Sequence, residues 1–177
     1  MRYFIGYLFE GEARNYLEEI SEDISQTFGT RPLHRRTPPH LTLYRPFETE
    51  DIRLERQILS EWSSKAIATP FNLEGFGRFT DRVIFVDANV DMYIKGLVED
   101  LQHSISKIPG MPQESGRPWR PHATLVKREM PEKIEWVWKY LSELPKPQFD
   151  LNFDAVTLFR FEQESGWLVE EEWKLGG

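Results

Sequence analysis

The 177-residue chain has no cysteine, which excludes disulfides, thiolate metal centres and cysteine nucleophiles. It has no apolar run near the ~18 residues that a membrane span needs. Its strand-like start is broken by Glu10 and Glu12, too early for a secretory signal. A Gly-rich phosphate loop, a Gly-x-Ser-x-Gly elbow and a dinucleotide fingerprint are all missing. Low-complexity tracts and Gly/Ser linkers are missing too, with only 11 Gly and 12 Pro in the chain. These absences leave one ordered domain over 1–177, expected to be a cytoplasmic monomer without membrane contact.

Acidic residues are missing from two places in an otherwise acidic chain. Residues 31–45 hold Arg31, Arg35, Arg36 and Arg45, and residues 115–128 hold Arg117, Arg120, Lys127 and Arg128. These windows carry eight cations and no acid, so the net charge of −7 leaves −15 on the remainder. An acidic body argues against broad binding along a nucleic-acid backbone. Two local cationic windows point instead to a focused anion site.

Apolar residues at three- and four-residue spacing mark four helices: Leu17, Ile20, Ile24 and Phe28; Leu54, Ile58, Trp62 and Ala66; Ile94, Leu97, Leu101 and Ile105; Ile134, Val137, Trp138 and Leu141. Strand-like runs occupy 3–9, 41–44, 71–76, 83–87, 123–127, 149–161 and 167–173, with turns at 78–82 and 163–166. The order is β-α-β-α-β twice, over about 1–78 and 82–161, plus a C-terminal strand. Pro39-His40-Leu41-Thr42-Leu43 returns as Pro121-His122-Ala123-Thr124-Leu125, a shift of 82. The expected fold is α+β: two pseudo-symmetric lobes of mostly antiparallel sheet, outer helices and a central cleft.

Strand side chains alternate faces, so His40, Thr42 and Tyr44 are expected on one face, and His122, Thr124, Val126 and Arg128 on its counterpart. Each copy then offers an imidazole beside a hydroxyl on a rigid element. One neutral imidazole can take a proton from an attacking water while an imidazolium gives one to the leaving oxygen. The threonine hydroxyls can donate to the non-bridging oxygens of a phosphate. Arg120, Arg128 and Lys127 are the candidate phosphate contacts, with Arg128 preferred if the strand stays regular. Tyr44, Phe47 and Trp119 are candidate stacking partners for a base. His34 reads as a solvated loop residue, His103 as a surface or partly buried helix residue, and Glu170–Glu172 as a solvated strand face. Catalytic zinc takes three protein ligands and neither motif has a further ligand at short spacing, so no metal or other cofactor is expected.

The paired motifs resemble the His-x-Thr/Ser signatures of the 2H phosphoesterase superfamily. The chain is similar to its RNA 2′,3′-cyclic phosphodiesterases, also called 2′–5′ RNA ligases. The stretch Phe71-Asn72-Leu73-Glu74-Gly75-Phe76-Gly77-Arg78-Phe79 resembles what those proteins carry between the motifs. The resemblance implies a bilobal fold and metal-independent hydrolysis of a 2′,3′-cyclic phosphate to a 2′-phosphate. The partner would be an RNA 3′ end or a small cyclic nucleotide. It also implies His40 as acid and His122 as base, roles that the residues alone do not assign. Two departures bear on substrate: Lys127 stands where members often have arginine, and Tyr44-Arg45-Pro46-Phe47 replaces an aromatic-Leu-Gly run. Two other functions use the same residues: capture of a nucleotide or RNA end without turnover, and the reverse, ligating direction.

Overall fold

The computed structural model describes residues 1–80, 82–113, 116 and 118–176. Arg117, of the second cationic window, and Asp81, of the first expected turn, lie outside them. The strands are β1 (Arg2–Leu8), β2 (His40–Glu48), β3 (Thr69–Phe79), β4 (Val83–Asn89), β5 (His122–Lys127), β6 (Gln148–Phe153), β7 (Ala155–Glu162) and β8 (Gly166–Lys174). The helices are α1 (Gly11–Phe28), α2 (Arg53–Lys65), α3 (Met92–Ser106) and α4 (Pro131–Ser142), with a short 3-10 turn at Leu33–Arg35. The fold is α+β, as expected, and the run 149–161 is two strands that part at Asp154.

Local chemistry sets the helix ends. Asp91 caps α3 by accepting the Ile94 N–H at 2.9 Å, and Pro131 opens α4, where its missing N–H costs nothing. Gly29 closes α1 in the left-handed conformation and donates to Ser25 O. In α1, α3 and α4 the buried stripe follows the apolar spacing. In α2 it does not. Leu54 is exposed, and the buried face is Glu55, Leu59, Trp62 and Ser63, rotated from the one expected at Leu54 and Ile58.

The strands form one antiparallel sheet in the order β6-β3-β4-β5-β2-β1-β7-β8. The strand order is pseudo-symmetric about the β2–β5 seam, which is pinned by a single residue pair, Leu41 with Ala123. On either side of the seam the halves interleave sequence from both copies of the repeat: β3 lies beside β4, and β7 beside β1. Leu41, Leu43, Ala123 and Leu125 join the hydrophobic core. Helix α1 lies against β5 and α3 against β2, so each crosses beneath the seam.

Candidate active site

His40 and His122 are the first residues of β2 and β5. Continued one residue either way from Leu41–Ala123, the antiparallel register sets His40 beside Thr124 and Thr42 beside His122. The seam therefore brings together all four residues of the two motifs. Each imidazole is fixed in the same manner. His40 Nδ1 lies 2.8 Å from Pro38 O, and His122 Nδ1 lies 2.8 Å from Arg120 O. A carbonyl oxygen only accepts, so in both rings Nδ1–H donates and Nε2 is left for chemistry.

Aromatic rings hold each imidazole from the neighbouring strands. Phe4 and Phe159 lie 4.7 and 5.7 Å from His40, while Phe79 and Phe85 both lie 4.9 Å from His122. Glycine makes room for these rings. A Cβ on Gly77 would sit 2.3 Å from the Phe85 ring, and one on Gly6 would sit 2.8 Å from Leu41 O and 3.2 Å from the Phe4 ring. Sequence reasoning missed these four phenylalanines, although Phe79 closes the stretch that resembles the family. Their signal is cross-strand register, which no single motif displays.

Burial against these rings disfavours the charged imidazole. His40 is pushed down to about 4, by burial first and then by the charges of Lys127 and His122, against the carbonyl of Pro38. His122 is lowered by burial and by Arg120, with Asp87 and its own backbone bond opposing. Both imidazoles are therefore neutral at neutral pH. An anion placed between them raises both and supplies the reason for one to take a proton.

Two matching bulges decide where the later motif residues point. The register steps from Gly6–Thr42 to Ile5–Tyr44, and from Phe85–Thr124 to Ile84–Val126. Each motif thus carries one extra residue directly after its threonine, which resets the alternation. Tyr44 turns into the core at 0 % exposure and donates to Pro112 O at 2.6 Å. Phe47, 3 % exposed, packs on Tyr3 and Tyr44. Neither can stack on a base, which corrects that expectation. Arg128 is corrected as well: β5 ends at Lys127, and Arg128 adopts φ 59° outside the strand. Arg128 lines a separate surface hollow with Arg82, Lys127 and Glu129.

Lys127 takes the place expected for Arg128. It lines a pocket with His40, Thr124, Ser21, His34 and Thr37, and burial together with Arg128 lowers its pKa. Arg120 lies over Phe79 and Phe85 at 4.8 and 5.3 Å, with Asp87 3.5 Å away. Trp119 is half-buried and its Nε1 donates to Thr42 O at 2.9 Å. His34 is no solvated loop residue: its ring nitrogens meet Ser21 Oγ at 3.1 Å and Glu22 Oε2 at 3.3 Å. The windows that lack acids in sequence gain them in space, through Arg35–Glu22 and Arg120–Asp87.

Comparisons with known proteins bear on the fold and the family. No curated protein sequence matches the chain. Among solved structures, TT0787 of Thermus thermophilus is similar at 23% identity and a TM-score of 0.72, over 100% of this chain and 99% of that one. LigT of E. coli, complexed with NADP+, is similar at 19% identity and a TM-score of 0.63, over 99% and 98%. A structure described as a phosphoesterase has 20% identity and a TM-score of 0.60, over 99% and 98%. These likenesses establish the fold. The family model of the 2′-5′ RNA ligase superfamily matches residues 9–164, a span that contains both histidine motifs and all four helices, and the chain belongs to that superfamily.

Proposed function

We propose that the protein hydrolyses the 2′,3′-cyclic phosphate at an RNA 3′ end, or of a small cyclic nucleotide, to a 2′-phosphate. One observation carries this reading: two imidazoles with the same Nδ1–H-to-carbonyl bond, at the heads of two strands that pair at Leu41–Ala123. His122 Nε2 takes the proton of a water as its oxygen bonds to phosphorus. The P–O3′ bond breaks, and the leaving oxygen collects a proton from His40, which becomes an imidazolium once the anionic substrate is bound. Thr42 and Thr124 donate to the non-bridging oxygens, and Lys127 balances their charge. This chemistry needs no metal ion. LigT structures complexed with 3′-AMP and with phosphate support the reading, since a protein of this fold binds a nucleotide and a phosphate.

The test is hydrolysis of 2′,3′-cyclic AMP and of a short RNA with a cyclic end, in EDTA. The wild type is expected to give a 2′-phosphate, and His40→Ala and His122→Ala to lose about 10²–10⁴-fold in kcat. Activity abolished by EDTA and restored by zinc would sink the acid–base reading. Tight nucleotide binding without product would make the cleft a binding module.

A further inference from the structure

The β2–β5 seam is one residue pair long, so the strands splay on both sides of it and leave two gaps. The pseudo-two-fold axis relates these gaps, yet their contents differ. The first lies between the start of β2 and the end of β5 over α1. It is a pocket lined by Leu17, Ser21, His34, Thr37, His40 and Lys127 among others. The second lies between the start of β5 and the continuation of β2 over α3. There Trp119 donates to Thr42 O at 2.9 Å and packs against the core, and Gln102 of α3 donates to Leu43 O at 2.8 Å. At the 82-residue offset that superposes His40 on His122, Trp119 is the counterpart of Thr37. A small residue leaves one gap open, and an indole fills the other.

We infer that Trp119 is a positioning residue that gives the cleft its direction. The inference rests on the hydrolytic reading above. Two histidine–threonine pairs related by a two-fold axis accept a phosphodiester in either of two orientations, which exchange the acid and the base. Thr37 and the indole of Trp119 break that tie. The substituent on the leaving oxygen lies across the mouth of the open gap, where Thr37 and Lys127 offer polar contacts, while Ser21 at its floor is buried and bonded to His34. The leaving oxygen then faces His40, and water approaches from His122. The resemblance alone implies these roles; the two gaps supply a physical reason for them.

The experiment uses a substrate that does not need the acid. Bis(4-nitrophenyl) phosphate expels a stable phenolate, so loss of the general acid is tolerated and loss of the base is not. On this ester His40→Ala is expected to lose at least ~10-fold less activity than His122→Ala, which should lose at least ~100-fold. Adding Trp119→Thr to His122→Ala opens the second gap, lets the ester turn round and makes His40 the base. At least ~10-fold of the lost rate should return. A purely structural tryptophan cannot produce that gain.

Thr37→Trp is the converse, read on 2′,3′-cyclic AMP. It should lower kcat/KM at least ~10-fold, and adding Trp119→Thr should restore it. The proposal is overturned if Trp119→Thr is folded and active but leaves His122→Ala unrescued, or if Thr37→Trp leaves the cyclic phosphate rate unchanged. Trp119→Phe, which keeps a plug without the Thr42 bond, serves where Trp119→Thr does not fold. It is expected to give no rescue, and rescue by it would equally overturn the role. A wild type inert on both substrates refutes hydrolysis itself, a result distinct from either of these.

Discussion

At the scale of single residues, the two imidazoles are alike in tautomer and unlike in depth. His40 is the more strongly shifted, and its neutral form carries a consequence for stability. Its folded pKa, about 4, lies below the ~6.5 of an exposed histidine. Between those values the unfolded chain binds the proton and the native one does not, so stability falls as the pH drops from about 6.5 towards 4. Asparagine at position 40 can still donate to Pro38 O but carries no titrating ring. Urea midpoints measured from pH 7.5 to 4.5 should therefore fall less steeply for His40→Asn than for the wild type. Parallel curves would mean that the ring protonates in place. The motif pairs were legible in the sequence because alternation along a strand is local. The four phenylalanines that set the histidine environments were not, because Phe4 and Phe159 meet only through the pairing of β1 with β7.

At the scale of elements, two bulges separate what the sequence implies from what the fold does. Regular alternation carries Tyr44 and Arg128 onto the face of the histidines. One extra residue after each threonine sends Tyr44 and Val126 into the core and leaves Lys127 beside His40. A bulge has no sequence signature here, since Leu43 and Leu125 are ordinary strand residues. Helix α2 is a second case: Leu54, Ile58 and Trp62 keep a helical period, yet the buried stripe runs through Leu59 and Glu55. With Tyr44 a core residue, its hydroxyl serves packing and not catalysis. Tyr44→Phe orphans Pro112 O and is expected to cost about 1 kcal/mol in urea unfolding. Its kcat/KM should stay within 2-fold of wild type, and a loss above 10-fold would return Tyr44 to the substrate.

At the scale of the whole molecule, charge limits how much of a nucleic acid the cleft can hold. Of the cations in the two windows, Arg35 is paired with Glu22 and Arg36 binds the carbonyls of Gln163 and Glu164. Lys127 and Arg120 stand beside the histidines. About two phosphate contacts on a single strand give a slope of log K against log salt near −1.5. Titrating a short RNA with a 3′-phosphate between 50 and 300 mM salt checks this, and a slope steeper than about −4 would require a longer cationic track. The interleaving of the halves also has a meaning in time. The two rings that pack on His122 are in hand once β5 has been synthesised, because Phe79 and Phe85 belong to the β3–β4 hairpin, which precedes α3 and β5. His40 must wait for Phe159, more than a hundred residues further on. On a ribosome the His122 site can assemble while the His40 site is still missing a wall. A truncated chain would then carry half a cleft, and competence would arrive with the second-last strand.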